Sequence, residues 1–233
     1  MPDTSSFSFA ASLMPLWLTM KVALAATLIA TILAVACAYL IARKNFRGKE
    51  FLDTLFILPM VLPPTVMGYY LIVVLGRNSF IGRWFEQVLG IRFMFTLNGA
   101  VVAATIVAFP LVYKAARAAF EEIPQAYVEA AQNLGASAWT VFGRIVLPLA
   151  ARGIIAGVVL GLARAMGEFG ATLMIAGNQT NKTQTLSIAI YQAWQDRNHE
   201  QAWLLTGIVC FLCVIILLSI SALLRKRMTP VGV

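Results

Sequence analysis

An all-α bundle of membrane-spanning helices is the fold class that the sequence predicts, on three observations. Of 233 residues, 60% are hydrophobic and only 12% charged, whereas soluble domains carry about 25% charged residues. The apolar residues gather in five runs, about 16–42, 51–75, 97–120, 153–176 and 202–224, each at or above the ~20 residues a helix needs to cross a bilayer. The runs are continuous and lack the alternation of a transmembrane barrel, and in lipid such runs satisfy their backbone polar groups as helix. The whole chain, 1–233, therefore reads as one transmembrane domain of five spans.

The first run contains Ala34-Val35-Ala36-Cys37, a faint likeness to a cleavage or lipid-attachment site. It continues through Tyr39, Leu40 and Ile41 and far exceeds the ~7–15 residues of a signal core, so it reads as a retained span. The second run holds Leu58-Pro59-Met60-Val61-Leu62-Pro63-Pro64-Thr65-Val66-Met67-Gly68. Prolines this close together cannot continue a regular helix, and a broken helix is predicted. Non-helical backbone at membrane depth survives only inside protein or beside an aqueous cavity. Pro63, Pro64 and Thr65 are thus pathway candidates, with a simple kink as the alternative.

The third run, Leu97 to Phe120, is a plain span. In the fourth, Gly153, Gly157 and Gly161 recur every four residues and are followed by Ala165. They make a flat face for close helix packing, against another span or a second copy. The same run carries Arg164 and Glu168, opposite charges on one helix face. A central charge costs about 2.5–3.5 kcal/mol to insert, and an exposed helical pair returns only about 0.2–0.5 kcal/mol. The two groups should therefore face polar groups or water inside the bundle. Arg164 is placed to attract an oxyanion and Glu168 to hold the arginine or a gate; a purely structural interior pair is the alternative. Whether a sixth, short helix forms near Leu173 to Ile188 is left open.

The fifth run includes Cys210 and Cys213 in a C-x-x-C without the polar surroundings that lower a thiol pKa, so no redox role follows. Cys37 is equally apolar in setting, and no disulfide framework or metal site is indicated. His199, beside Glu200, reads as a surface residue.

The net charge of +8 raises the question of nucleic acid, and the placement of the basic residues answers it. Arg43, Lys44, Arg47 and Lys49 follow the first span; Lys114, Arg117, Arg144 and Arg152 lie between the third and fourth; Arg225, Lys226 and Arg227 end the chain. Fewer, Arg77, Arg83, Arg92, Lys182 and Arg197, fall on the other side. By the positive-inside rule the richer side is cytoplasmic, the N-terminus outside and the C-terminus inside. A basic cytoplasmic face accounts for the net charge without a nucleic-acid partner.

The most informative stretch is the cytoplasmic loop, 121–151. Glu121-Glu122-Ile123-Pro124 leads into Gln125-Ala126-Tyr127-Val128-Glu129-Ala130-Ala131-Gln132-Asn133-Leu134-Gly135. Proline at the start and glycine just past the end bound a helix of about three turns. Ser137 is placed to cap a second helix from about Ala138 to Val146, which Leu147-Pro148 should break. Tyr127, Ala130, Ala131 and Leu134 recur at helical spacing as an apolar face edged by Glu129 and Gln132. That face docks on something: the protein's own spans or a partner.

Glu129-Ala130-Ala131, then Gly135, Phe142, Ile145, Leu147 and Pro148, resemble the E-A-A-x3-G loop of ABC importer permeases. In that family the loop is a coupling helix seated in a cleft of a cytoplasmic ATPase. The resemblance implies ATPase coupling for Glu129, Ala130, Ala131 and Gly135, and a type I importer permease architecture. The chain has no G-x4-G-K-[ST], so ATP and Mg²⁺ would sit on the partner; no cofactor is expected in this chain, and it is no enzyme.

Arg164-Ala165-Met166-Gly167-Glu168-Phe169-Gly170-Ala171-Thr172 resembles the R-x-x-G-E-F-G-A-T run of the molybdate, tungstate and sulfate permease group, which adds Thr172 to the pathway candidates. Leu58 to Pro64, Gly68-Tyr69-Tyr70 and Gly76 to Gly82 are most similar to its molybdate members. The resemblance implies a homodimer of permeases in the bacterial inner membrane, two ATPase subunits and a periplasmic molybdate-binding protein. Sulfate, thiosulfate or tungstate transport within the same group is the alternative. Two rivals lie outside that reading: a membrane-embedded enzyme using Arg164, Glu168 and Asp53, and a permease working without ATP.

Overall fold

The computed structural model describes the backbone of residues 9–44 and 46–226, with side chains from 13 to 218 except 45. All its regular elements among those residues are helices. α1 (Phe9–Arg43), α5 (Leu97–Glu121), a helix running from Ala138 to Met166 and α11 (His199–Lys226) are each long and apolar enough to cross a membrane. A fifth candidate span is bent, as a broken span or a re-entrant pair: α2 (Lys49–Val61) and α3 (Pro64–Leu75) meet at 112° across Leu62-Pro63. The break expected in the second run is therefore a true change of direction. Leu62 and Pro63 are extended, and Pro64 opens α3, where its missing N–H costs no helical bond.

α5 is the centre of the bundle, and small side chains put it there. Ala23, Ala26, Ala30, Ala34 and Ala38 form a fully buried seam along α1, the first three clustered with Ala100, Ala103, Ala104 and Ala108 of α5 and the last two with Val112, Tyr113 and Ala116. On the other side of α5, a Cβ at Gly153 would fall 2.5 Å from that of Ala119, and one at Gly157 would fall 2.6 Å from that of Ala115. At Gly161 it would meet Val112 at 2.7 Å. The glycine face of the fourth run is thus consumed by α5 of the same chain. Lipid tails are as apolar as leucine, so such backbone proximity is what holds spans together.

The fourth apolar run is not one helix. α7 (Ala138–Val141) passes through a π-helical turn (Phe142–Val146) into α8 (Leu147–Met166), and α9 (Gly170–Ala176) resumes after a break. The expected stop at Leu147-Pro148 does not occur. Leu147 N–H donates to the Phe142 carbonyl, a widened turn directly before the proline that accommodates its ring and its missing donor without ending the helix. The break falls instead at Gly167 to Phe169. Between α9 and α11 lies α10 (Leu186–Gln195). At seven and ten residues, α9 and α10 are too short to span, so the region near Leu173 to Ile188 adds no sixth crossing among the described residues.

Two helices lay outside the sequence reading or only at its edge, α4 (Phe80–Leu89) and α10, whereas the short helix expected between Pro124 and Gly135 is α6 (Gln125–Asn133). α4 begins at Ser79, whose Oγ accepts from Gly82 N–H at 2.8 Å, and ends at Gly90 in the left-handed region. Arg225 and Lys226 lie on α11 beyond the described side chains, and Arg227 lies outside the described residues.

Candidate functional site

The first candidate surface is the loop between α5 and α8. α6 starts after Pro124 and ends in a hydrogen-bonded C-cap: Gly135 N–H donates to Gln132 O (2.9 Å) and Ala136 N–H to Ala131 O (3.0 Å). That pattern needs a left-handed residue at 135, and Gly135 has φ of 83°. Ser137 then caps α7, its Oγ accepting from Thr140 N–H. Both caps follow from local chemistry legible in the sequence.

The expected apolar face of α6 divides in two. Val128 (8% exposed) and half-buried Ala131 turn into the core beside Ile123 and Val141. Tyr127 (56%), Ala130 and Leu134 (88%) turn outward with Glu129, and Trp139 (84%) of α7 is exposed as well. Ala130 and Ala131 thus serve opposite faces, one step of about 100° apart on the helix. Trp139 was missed by sequence reasoning; a tryptophan two residues past a cap on the polar side of the membrane was its signal. The module is strapped to the bundle by Arg43, whose guanidinium donates to Gln125 Oε1 (2.9 Å) and to Ile123 O (3.4 Å). Tyr39 of α1 adds ring contacts with Phe120 and Phe142, centroids 5.5 and 4.7 Å apart.

The second candidate surface lies where two helix breaks meet. Gly170 opens α9 against Pro64, which opens α3: a Cβ on Gly170 would fall 2.8 Å from that of Pro64. Gly68 fits against Met174 in the same way. Pro63, Pro64 and Thr65 are exposed beside this junction. Glu168 is buried at 3%; it accepts from Ala171 N–H at 3.0 Å and pairs with Arg164 at 2.9 Å. It thereby supplies the cap that Phe169, with no acceptor of its own, cannot give α9. Arg164 keeps 38% of its side chain exposed. The motif's Thr172 is 1% exposed, packed inside the bundle rather than on this surface.

Asp53, considered with Arg164 and Glu168 as an enzymatic group, belongs to a different cluster. Tyr113 OH donates to it at 2.6 Å and Arg117 pairs with both it and Glu121. It joins α2 to the loop end of α5.

Residues 26–230 match the family described as binding-protein-dependent transport system inner membrane component. The chain is 45% identical over 214 residues, 91% of its length and 92% of the relative's, to the molybdenum transport system permease protein ModB of Haemophilus influenzae. It is 43% identical over 210 residues, 90% of its length and 92% of the relative's, to the putative molybdenum transport system permease protein YvgM of Bacillus subtilis. Relatives named as sulfate permeases are less similar. The fold is similar to a chain in the crystal structure of a bacterial ABC transporter involved in the import of the acidic polysaccharide alginate, with a TM-score of 0.76 and 17% identity. That match covers 98% of this chain and 86% of the other. The bent α2–α3 pair and the loop between α5 and α8 belong to a type I ABC importer permease fold, and the chain belongs to the family of inner membrane components of binding-protein-dependent transport systems.

Proposed function

We propose that this chain is the membrane subunit of an ATP-driven importer of molybdate, two copies enclosing the pathway and each carrying an ATPase on α6. It is a transporter subunit and not an enzyme. ATP and Mg²⁺ sit on the ATPase, and a periplasmic binding protein delivers the anion. The N-terminus is periplasmic and the C-terminus cytoplasmic, as the basic residues require. The observation that carries the reading is the outward face of α6. A short helix bounded by Pro124 and the Gly135 cap displays Tyr127, Ala130 and Leu134 with Glu129 at the rim, while Val128 and Ala131 fix it to the spans. Its motion on ATP binding reaches α8 through α7 and the π-helical turn, and α8 ends at the Arg164–Glu168 pair. There the partly exposed Arg164, held by Glu168, meets the anion, and Pro63, Pro64 and Thr65 form the neighbouring wall. ATP binding and hydrolysis then shift populations between inward- and outward-facing states.

The substrate reading is supported by the molybdenum-transport names of the two relatives above and by the R-x-x-G-E-F-G-A-T run. The test is ATP-dependent uptake of radiolabelled molybdate into proteoliposomes holding this chain with its ATPase and binding protein. Uptake suppressed by excess tungstate but not by sulfate is the expected result. Strong competition by sulfate or thiosulfate reassigns the substrate within the group. No uptake by an intact, ATP-hydrolysing assembly refutes molybdate import.

A further inference from the structure

Near its N-terminal end α1 carries a charge that none of the foregoing uses. Lys21 is exposed and lies in line with Trp17 (57% exposed), Leu24 (54%), Leu28 (63%) and Ile32 (63%), opposite the alanine seam. Its ammonium stands over the Trp17 ring, 5.6 Å from the centroid. Among the described residues no carboxylate forms an ion pair with Lys21.

The depth of Lys21 follows from the other end of the helix. Arg43 has left the hydrocarbon there, since it donates to Gln125 and Ile123 of the coupling loop. The roughly 20 residues from Ile41 back to Lys21 make about 30 Å of helix, the thickness of the hydrocarbon layer. Helical side chains lean toward the N-terminus, which carries the ammonium outward to the level of Trp17. Tryptophan favours that level. The same end of the bundle holds Trp194 (62% exposed) and Trp203 (77%), because Leu186 N–H at the start of α10 donates to Thr19 of α1 at 2.8 Å.

We propose that Lys21 and Trp17 form a seat for the phosphate of a phospholipid in the leaflet at this end of the bundle. The ammonium pairs with the phosphate oxygens, the indole lies at the boundary of headgroup and acyl chain, and Leu24, Leu28 and Ile32 carry the chain itself. The seat rests on α1 alone; under the orientation proposed above the leaflet is the outer one.

Native mass spectrometry of the delipidated transporter, titrated with dioleoyl phosphatidylethanolamine or dioleoyl phosphatidylglycerol, tests it. Lys21→Met should weaken retention of one phospholipid per chain about fivefold with either headgroup, the effect of one lysine at a lipid surface. Lys21→Arg should retain it. Equal retention by Lys21→Met and the natural protein overturns the proposal. So does ready disulfide formation between two copies carrying Lys21→Cys with Cys37, Cys210 and Cys213 replaced by Ser, which would place protein over the residue. Lipid retention is read without substrate, so a failure here is distinct from a failure of molybdate uptake.

Discussion

Glu168 answers two needs at once, the cap of α9 and the counter-charge of Arg164. The two partners therefore differ in what their loss costs. Arg164→Met leaves a buried carboxylate with a single backbone donor, a defect of about 3 kcal/mol or more. Glu168→Gln keeps an oxygen for Ala171 N–H, and the partly exposed Arg164 retains access to water, so its cost is about 1 kcal/mol. Thermal unfolding of the purified protein should rank Arg164→Met below Glu168→Gln, with the double variant above Arg164→Met alone; an Arg164→Met protein as stable as the natural one contradicts the pairing. The glycines make a second contrast. Gly157→Val drives a side chain into Ala115 and Val112 and costs about 1–3 kcal/mol. Gly143 has open space around it, so Gly143→Ala should be neutral or stabilising by up to about 1 kcal/mol. The same melting assay separates them. The four-residue repeat marks Gly157 but not Gly143 as a packing glycine, and the position of α5 shows what it packs against.

At the scale of elements, what was legible was whatever local chemistry decides. Pro63-Pro64 announces the break between α2 and α3, Ser137 the start of α7, and Gly135 the end of α6, because each acts on the backbone within a few residues of itself. Pro148 misled because its usual effect depends on the turn before it, and a π-helical turn there removes the conflict. The end of α8 at Met166 was hidden for another reason. Gly167-Glu168-Phe169 is too short an interruption to divide the apolar run, and Gly170 packs against Pro64 from outside the helix. α4 escaped because ten residues fall below the length at which apolar periodicity speaks. Gly135 permits a direct test of an element's end. With φ of 83°, Gly135→Val should cost roughly 1–2 kcal/mol. Gly135→Asn should cost less, and ATPase copurification should fall in the order Gly, Asn, Val. Equal copurification by all three excludes a role for that cap in presenting α6.

In the whole molecule, the described surface has an unequal distribution of burial that fits a subunit rather than a finished protein. α5 is 61% buried over its most apolar window, whereas α11 is only 6% buried over its own. Trp203, Phe211 and Leu218 stand out from α11, and lipid or a second copy is their partner in the membrane. On the aqueous side lipid is no option, and there Tyr127, Leu134 and Trp139 are as exposed as residues on α11. The loop sequence alone left two occupants for the apolar face of α6, the protein's own spans and another chain. The geometry splits that face into residues turned into the core and residues left exposed, which turns the question into a paired experiment. Val128 lies in the core, so Val128→Asp buries an unpaired carboxylate; it should lower the yield of folded protein and its melting temperature. Leu134 is 88% exposed, and a substitution there away from any partner changes stability by about 0.5 kcal/mol or less. Leu134→Asp should therefore insert, purify and melt like the natural protein yet lose the ATPase on copurification and lose ATP-driven uptake. If Leu134→Asp retains a full complement of ATPase, the outward face of α6 is not the docking surface, and the energy of hydrolysis reaches α8 by another route.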